Sequence, residues 1–351
     1  STIAAIHPYW IHSEEVGSEM INNSGHRIVS SNRVENHYGL TPGGCIDHSG
    51  VWKRMERFIK ATTECFKDAP NLAGWDAWNE LRWNVQAEGM VCYCDHTVAA
   101  FRSWLDRKYN GLEGLNAAWF RRYPDWSHVN PGIMPDRPFT EMMAFQEFIT
   151  WRANQHALAR YRAIKSIDPD RSVTVHGGNP TVLHAGDGYP NTALHRGNDW
   201  VFAEEIDGIG CSSFPYMFAP DGGIRMSDSE FFFRLESLRS AAGSKKIWIS
   251  ELQGGRGNIN FTLARSVPSY DQQRWLWTGL SIGAEKILFW CWRDEVFGRE
   301  SNGFGIVGND GYKDDRLEGL AKTAGVLKRH GETIERFKPQ GGEVGILFST
   351  T

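Results

Sequence analysis

Six short apolar runs, most of them without polar alternation, recur along the 351-residue chain. Parallel strands that helices cover on both faces have this uninterrupted apolar character, whereas strands with one wet face alternate apolar and polar residues. The runs therefore predict the strands of a parallel sheet. They are Thr2–His7, Leu72–Trp78, Ser172–Val175, Asp207–Ser212, Lys246–Ile249 and Lys286–Trp292.

Longer stretches with helical periodicity lie between these runs. Asp168-Pro169 closes the third stretch and Gly243 ends the fourth, as expected at helix ends. Strands that alternate with helices predict an α/β fold. The predicted helices are Val51–Phe66, Val98–Tyr109, Glu141–Ile167, Ser229–Ala242, Gln272–Gly283 and Arg316–Phe337.

About six strand–helix units are compatible with a doubly wound open sheet or with a TIM (β/α)8 barrel, which needs eight. No glycine-rich phosphate turn follows an early run, so we favour the barrel, with the first two units absent from this chain. The barrel is predicted to span residues 1–338. Gly341–Thr351 resembles the first strand of a further domain, so residues 339–351 are predicted to begin that domain.

Composition excludes some classes of protein. The net charge of −4 argues against a nucleic-acid partner. The chain contains no run of 18 apolar residues, so no membrane-spanning helix is predicted. Aromatic residues make up 13% of the chain, which is compatible with sugar stacking and equally with an aromatic core. Six cysteines in a chain of this length do not form a disulfide framework, so a reducing, cytoplasmic compartment is favoured.

Two predicted strand ends carry a glutamate, Glu80 and Glu251. Residues at the carboxyl ends of barrel strands point into the active-site mouth. Retaining glycoside hydrolysis needs one carboxylate that attacks the anomeric carbon and one carboxylic acid that protonates the leaving oxygen. The pair therefore predicts a glycosidase in which Glu251 is the nucleophile and Glu80 the general acid/base. The alternative is that both are salt-bridge or cap residues.

Further candidates follow from their positions near strand ends. Asn79 can hydrogen-bond the sugar hydroxyl beside the anomeric carbon. Trp292 is either the floor of a sugar subsite or a core residue, and His176 either faces the ligand or is a satisfied core histidine. Arg293 either binds sugar hydroxyls or joins an ion-pair network with Asp294 and Glu295.

At this point the sequence resembles glycoside hydrolase family 42, the β-galactosidases, from about Cys45 to Arg316. The resemblance rests on Trp78-Asn79-Glu80, on Ser250-Glu251, and on Phe289-Trp290-Cys291-Trp292-Arg293. It also rests on the loop Val91-Cys92-Tyr93-Cys94-Asp95-His96 and on Leu112-Glu113-Gly114-Leu115-Asn116-Ala117-Ala118-Trp119. The resemblance implies hydrolysis of terminal β-D-galactosides with retention, the acid/base at the end of barrel strand 4 and the nucleophile at the end of strand 7.

The resemblance implies no catalytic cofactor, and a trimer-forming β-rich domain after the barrel, hence a homotrimer. It also implies a structural zinc site at Cys45, Cys92 and Cys94. The family's last zinc cysteine is replaced by Thr97 here, so His96 or His48 would substitute, or the thiols carry no metal.

A second departure is Phe214, which stands where the family commonly has a tyrosine near the nucleophile; Tyr216 is the candidate to replace it. These departures keep other functions open. One alternative is hydrolysis by the same mechanism of a β-glucoside, a β-mannoside or an α-L-arabinopyranoside. The other is a barrel that binds carbohydrate without turnover.

Overall fold

The computed structural model describes residues 2–5, 17–28, 44–80, 92–133, 139–182, 197–217, 226–257, 266–298, 300–301, 303–311, 313 and 315–348. These residues form two compact units. The first holds the described residues up to Val173 together with 197–202, and the second holds 174–182 and the described residues from Ala203 onward.

The first unit contains a parallel strand pair, a short antiparallel ribbon and α-helices. Its strands β1 and β4 pair in parallel, with Ile3 opposite Gly74, and β2 and β3 form a short antiparallel ribbon. The strands are β1 (Thr2–Ala5), β2 (Met20–Ile21), β3 (Arg27–Ile28) and β4 (Leu72–Asp76), and the helices are α1 (Ser49–Phe66), α2 (Asp95–Tyr109), α3 (Leu112–Trp119) and α4 (Phe139–Lys165). A 3-10 turn spans Trp126–His128.

Three helices of the first unit, α1, α2 and α4, form where the periodicity predicts them, whereas α3 was not predicted. Buried residues of α1 recur every fourth position, as Val51, Met55, Ile59 and Thr63, so one stripe faces the core. Helix α2 ends at Asn110 in the left-handed conformation, which satisfies its last carbonyls. Phe66, predicted to continue the α1 stripe, is half exposed because the helix ends there.

An aromatic cluster joins α2 to α4. Phe101 contacts Phe145 edge to face with ring centroids 5.3 Å apart, and Phe148 lies 5.4 Å from Phe101. All three rings are fully buried. Burial of each contributes about 1.5–3 kcal/mol, so this cluster is a major part of the core of the first unit.

The second unit contains a run of parallel strands. Strand β5 (Val173–His176), which begins in the first unit, pairs with β6 (Gly208–Ser213), β6 with β7 (Lys246–Gln253) and β7 with β8 (Lys286–Trp290). The helices are α5 (Asp199–Glu205), which also begins in the first unit, α6 (Asp228–Ala242), α7 (Ser269–Ile282) and α8 (Asp315–Glu335).

Close packing of α7 on the sheet depends on Gly279. A Cβ atom at this position would lie 2.6 Å from Ile249 Cδ1 and 3.1 Å from Ile287 Cδ1, so a larger residue would displace these two side chains. Helix α6 begins at Ser227, whose hydroxyl accepts a hydrogen bond from the Glu230 amide at 3.2 Å.

The six predicted strands are all present, and the prediction of an α/β fold is confirmed. Strands β4, β7 and β8 each end two or more residues from the predicted position, and β8 stops at Trp290 instead of Trp292. Strand β4 stops at Asp76 because its carboxylate accepts a hydrogen bond from the Trp78 amide at 3.3 Å and turns the chain. Strand β7 continues to Gln253, beyond the predicted end at Ile249.

The segment from Gly341 was predicted to be a strand, and within residues 341–348 that prediction is wrong. These residues lie outside helices and strands, and Val344, Ile346 and Leu347 are 85–97% exposed. An alternating apolar sequence becomes a strand only where a neighbouring strand pairs with it. That residues 339–351 begin a further domain stays a prediction.

No helix in the described ranges combines the length and the apolarity that a membrane span requires.

Candidate functional site

Glu251 lies at an irregularity of β7. Between β6 and β7 the register passes from Cys211–Ile249 to Ser212–Glu251, and between β7 and β8 it passes from Ile249–Ile287 to Leu252–Phe289. Both shifts occur at Ser250 and Glu251, which is the two-against-one pattern of a β-bulge. Bulges redirect side chains beside active sites. The Glu251 side chain is 15% exposed, so it is partly accessible although its neighbours on the strand are buried.

His176 at the end of β5 faces Glu251. Its Nε2 lies 3.9 Å from Glu251 Oε1, and the ring is fully buried. The structure therefore brings together two of the residues predicted from the sequence, on strands that are separated by β6.

Gly210 on β6 makes this arrangement possible. A Cβ atom at Gly210 would lie 2.2 Å from Ser250 Oγ and 2.9 Å from His176 Cβ. The absent side chain leaves the space in which residues of β5 and β7 meet across β6. Gly210 was not singled out in the sequence, because nothing in the isolated strands indicates which side chains meet across β6.

Tyr216 lies in the interior of the second unit. Its amide donates to Gln253 Oε1 at 2.8 Å, its hydroxyl hydrogen-bonds the Asp271 carboxylate, and its ring packs edge to face on Trp275. Only 1% of the residue is exposed. The hydroxyl that we expected to serve the substrate is engaged by Asp271, so we leave Tyr216 out of the proposed sugar-binding set.

The loop after β8 carries the two remaining candidates of this unit. Trp292 is 63% exposed, so it is not the core residue of the alternative interpretation. Arg293 Nε donates to the carbonyl of Asn309 at 3.0 Å, which fixes the guanidinium against a neighbouring loop. The Asp294 carboxylate accepts from the Gly305 amide at 2.6 Å and holds the same two segments together.

Glu80 and Asn79 lie in the first unit, in the turn that follows β4. Glu80 has φ of +44°, the left-handed region that non-glycine residues seldom adopt. Such strain costs on the order of 1 kcal/mol or more and clusters at functional sites. Both side chains are half-buried.

Trp78 anchors this turn. Its ring is buried, and the guanidinium carbon of the buried Arg160 lies 3.7 Å from the ring centroid, a close cation–π contact. The residues Leu81–Gly89, which follow Glu80, lie outside the described residues.

The three cysteines predicted to bind metal meet in the first unit. The Sγ atoms of Cys45, Cys92 and Cys94 all lie within 4.8 Å of one another and are buried. A tetrahedral zinc ion bound to thiolates at about 2.3 Å places its sulfur ligands about 3.8 Å apart. Soft thiolates are the ligands that zinc prefers in structural sites, so this cluster fits three corners of such a site.

The thiols differ in acidity. Hydrogen bonds from the thiols of Cys45 and Cys92 hold the pKa of Cys94 far below its ordinary value. The same cluster raises the pKa of Cys45, first through its hydrogen bond to Cys92. Cys94 is also the N-cap residue of α2, where the helix dipole favours a thiolate. Both effects favour the ionised form of the Cys94 thiol over that of Cys45.

Neither histidine proposed as the fourth ligand joins the thiols. The Nδ1 atom of His48 accepts the Gly50 amide at 3.1 Å and caps α1, and His96 is exposed with its ring edge against His48. Among the described histidine, cysteine and acidic residues, the group contains the three cysteines alone. The prediction that His48 or His96 replaces the missing cysteine is wrong, because both rings are directed to other partners.

The comparisons with known proteins decide the family. The family model described as "Beta-galactosidase", glycoside hydrolase family 42, matches residues 7–329. The chain belongs to glycoside hydrolase family 42. The predicted resemblance is thereby confirmed.

Curated relatives of this family 42 chain are distant and longer. It is 24% identical to the β-galactosidase Bga of Halorubrum lacusprofundi over 92% of this chain and 45% of that protein. It is 22% identical to the β-galactosidase BgaA of Clostridium cellulovorans, over 98% of this chain and 48% of that protein. The chain thus spans about half the length of the curated relatives that it matches.

Solved structures agree on the fold. The β-galactosidase of H. lacusprofundi superimposes with a TM-score of 0.73 at 21% identity, over 93% of this chain and 48% of that one. The β-galactosidase from Bacillus circulans sp. alkalophilus gives 0.72 at 19% identity, over 94% of this chain and 46% of that one. The family 42 chain is therefore a partial α/β TIM barrel, as predicted.

Proposed function

We propose that this chain forms the catalytic barrel of a glycoside hydrolase that cleaves terminal β-D-galactosides with retention of configuration. The observation that carries the proposal is the family 42 match over residues 7–329, combined with a glutamate at a bulge of β7 and another in the strained turn after β4. Retaining glycosidases need two carboxyl groups, and these two positions supply them.

Glu251 is the proposed nucleophile. Its carboxylate attacks the anomeric carbon and forms a galactosyl–enzyme ester as the bond to the leaving oxygen breaks. Partial exposure lets it reach the sugar, and the bulge fixes its direction. His176, 3.9 Å away, limits how far the carboxylate can rotate.

Glu80 is the proposed general acid/base. In the first step it gives its proton to the leaving glycosidic oxygen. In the second step it takes a proton from water, whose oxygen attacks the anomeric carbon and releases Glu251 as a carboxylate. The cation–π contact between Arg160 and Trp78 holds the start of the turn, so that Glu80 and Asn79 are presented in a fixed conformation.

Polar and apolar groups both bind the sugar. Asn79 donates its side-chain amide to the hydroxyl beside the anomeric carbon, a contact that strengthens in the transition state. The exposed Trp292 indole offers a flat apolar face to the sugar, and Arg293 and His176 supply hydrogen-bond donors. A β-galactoside is the proposed partner, and a homotrimer stays a prediction.

The thiols are proposed to bind a structural zinc ion. Cys45, Cys92 and Cys94 would hold the ion, which would cross-link the segments that carry them. The ion would have no part in catalysis, because hydrolysis by two glutamates needs no cofactor.

Hydrolysis of 4-nitrophenyl β-D-galactopyranoside, followed by proton NMR, tests the function. We expect β-galactose to form first and to mutarotate later. Glu251→Gln removes nearly all turnover, whereas Glu318→Gln, an exposed change in the same unit, leaves it intact. Initial release of α-galactose would contradict retention, and wild-type rates in Glu251→Gln would refute the assignment.

A panel of 4-nitrophenyl glycosides tests the substrate. We expect kcat/KM for the β-galactoside to exceed that for the β-glucoside, the β-mannoside and the α-L-arabinopyranoside. A preference for one of these would keep the mechanism and change the sugar. Binding of galactose without turnover of any glycoside would support the non-catalytic alternative.

A further inference from the structure

A hydroxyl oxygen lies beside two of the three thiols. Thr97 Oγ1 lies 3.1 Å from Cys45 Sγ and 3.6 Å from Cys94 Sγ, and the residue is fully buried. In a tetrahedral site with three thiolates, an oxygen ligand lies about 3.6 Å from each sulfur. The distances from Thr97 Oγ1 to Cys45 and Cys94 are therefore compatible with the fourth corner of such a site.

The Thr97 hydroxyl donates a hydrogen bond to a buried carboxylate. Thr97 Oγ1 donates to Asp47 Oδ2 at 2.8 Å. The other carboxylate oxygen, Oδ1, is bound by the guanidinium of Arg152 and lies 3.8 Å from His156 Nε2. A hydroxyl can offer a lone pair to a metal while its proton is held elsewhere, and metal ligands are generally oriented by such outer partners.

We propose that the zinc site of this chain has three sulfur ligands and one oxygen ligand, with Thr97 Oγ1 in the fourth position and Asp47 as the carboxylate that accepts a hydrogen bond from its hydroxyl. Asp47 is a positioning residue here, and Arg152 balances its charge. The inference rests on the structural zinc proposed above, and it is independent of the proposed hydrolysis of galactosides.

The site ties three segments together. The Cys45 amide donates to the Ser18 carbonyl at 2.5 Å, and the Tyr93 amide donates to the Ile21 carbonyl at 2.8 Å, so both thiol loops flank β2. Cys45 lies shortly before α1, and Cys94 caps α2. A metal here joins the starts of two helices to the β2 segment, and its loss loosens all three.

The first test is zinc content and ligand type in the purified protein. Elemental analysis is expected to find one zinc per chain, and X-ray absorption at the zinc edge to find three sulfur ligands and one oxygen ligand. Thr97→Val, which removes the oxygen and keeps the shape, is expected to weaken zinc binding at least tenfold in competition with a chromogenic chelator. Thr63→Val is the matched control, because Thr63 is also buried and its hydroxyl donates to the Ile59 carbonyl of its own helix at 2.8 Å.

A second variant keeps the test decisive if Thr97→Val does not fold. Thr97→Cys is expected to give four sulfur ligands and, with Co²⁺ in place of zinc, stronger thiolate-to-metal absorption than the wild type. Protein that contains no stoichiometric zinc would overturn the proposal, as would wild-type affinity in Thr97→Val. So would three sulfur ligands in Thr97→Cys, because the fourth position would then lie elsewhere, for example at Asp47.

Discussion

Gly210→Ala perturbs the nucleophile without touching it. The new methyl carbon would lie 2.9 Å from His176 Cβ, whereas ordinary contacts begin at 3.4 Å. The difference, 3.4 − 2.9 Å, means that β5 and β6 must separate by at least 0.5 Å where Gly210 faces His176. Ser250 Oγ, at 2.2 Å, must also leave its position, although a hydroxyl can rotate away more easily than a Cβ atom can move.

The expected effects are on stability and on rate. Overpacking of this kind costs about 1–3 kcal/mol, which lowers the melting temperature of a chain of this size by ~1–4 °C. A misplacement of 1 Å can cost about 100-fold in rate, so half that displacement beside Glu251 is expected to lower kcat about tenfold.

Thermal unfolding and steady-state hydrolysis of 4-nitrophenyl β-D-galactopyranoside measure the two effects. Gly331→Ala in α8 is the control, because a Cβ atom there meets nothing within 4 Å and the change should be neutral or stabilising. If Gly210→Ala kept the wild-type kcat and melting temperature, the close packing of β5, β6 and β7 around Glu251 would not govern the site.

Three further predictions concern other parts of the molecule. Trp292→Ala is expected to lower kcat/KM about tenfold with an unchanged melting temperature, measured by hydrolysis and calorimetry, because the exposed indole serves substrate and not the core. Arg160→Met removes the cation–π contact under Trp78 and is expected to lower kcat more than it raises KM; equal changes in both would argue against a role in holding the turn. Burial opposes ionisation of Glu141, but hydrogen bonds from Arg121 and Tyr123 hold its pKa below the ordinary 4.5. Its ionised form therefore stabilises the fold above pH 4.5, and that contribution is lost as the pH falls through the lowered pKa. In urea unfolding between pH 3 and 7, the free energy of unfolding should fall less steeply with decreasing pH in Glu141→Gln than in the wild type. An unchanged pH dependence would contradict the pairing of Glu141 with Arg121 and Tyr123.

Local features were predictable from the sequence because their causes are local. The stripe of Val51, Met55 and Ile59 follows from helical periodicity, and α6 ends at Gly243 because glycine tolerates its positive φ of 59°. The strands followed from apolar runs, and the candidate carboxylates from their position near strand ends.

Features that depend on pairing between distant residues were not predictable. The bulge at Ser250 and Glu251 exists only in relation to β6 and β8, so the length of β7 was underestimated. Tyr216 is buried against Asp271, which lies 55 residues further along the chain. The contact between Thr97 and Asp47, across 50 residues, likewise escapes any local pattern.

The central claim is that Glu251 forms a covalent bond to the sugar. Incubation with 2-deoxy-2-fluoro-β-D-galactosyl fluoride, which slows the second step, and mass spectrometry of the proteolytic peptides test it directly. We predict one fluorogalactosyl group per chain, attached to Glu251, and the loss of this label in Glu251→Gln. A label on a different residue of an active enzyme, or full turnover with no labelled peptide, would contradict the account.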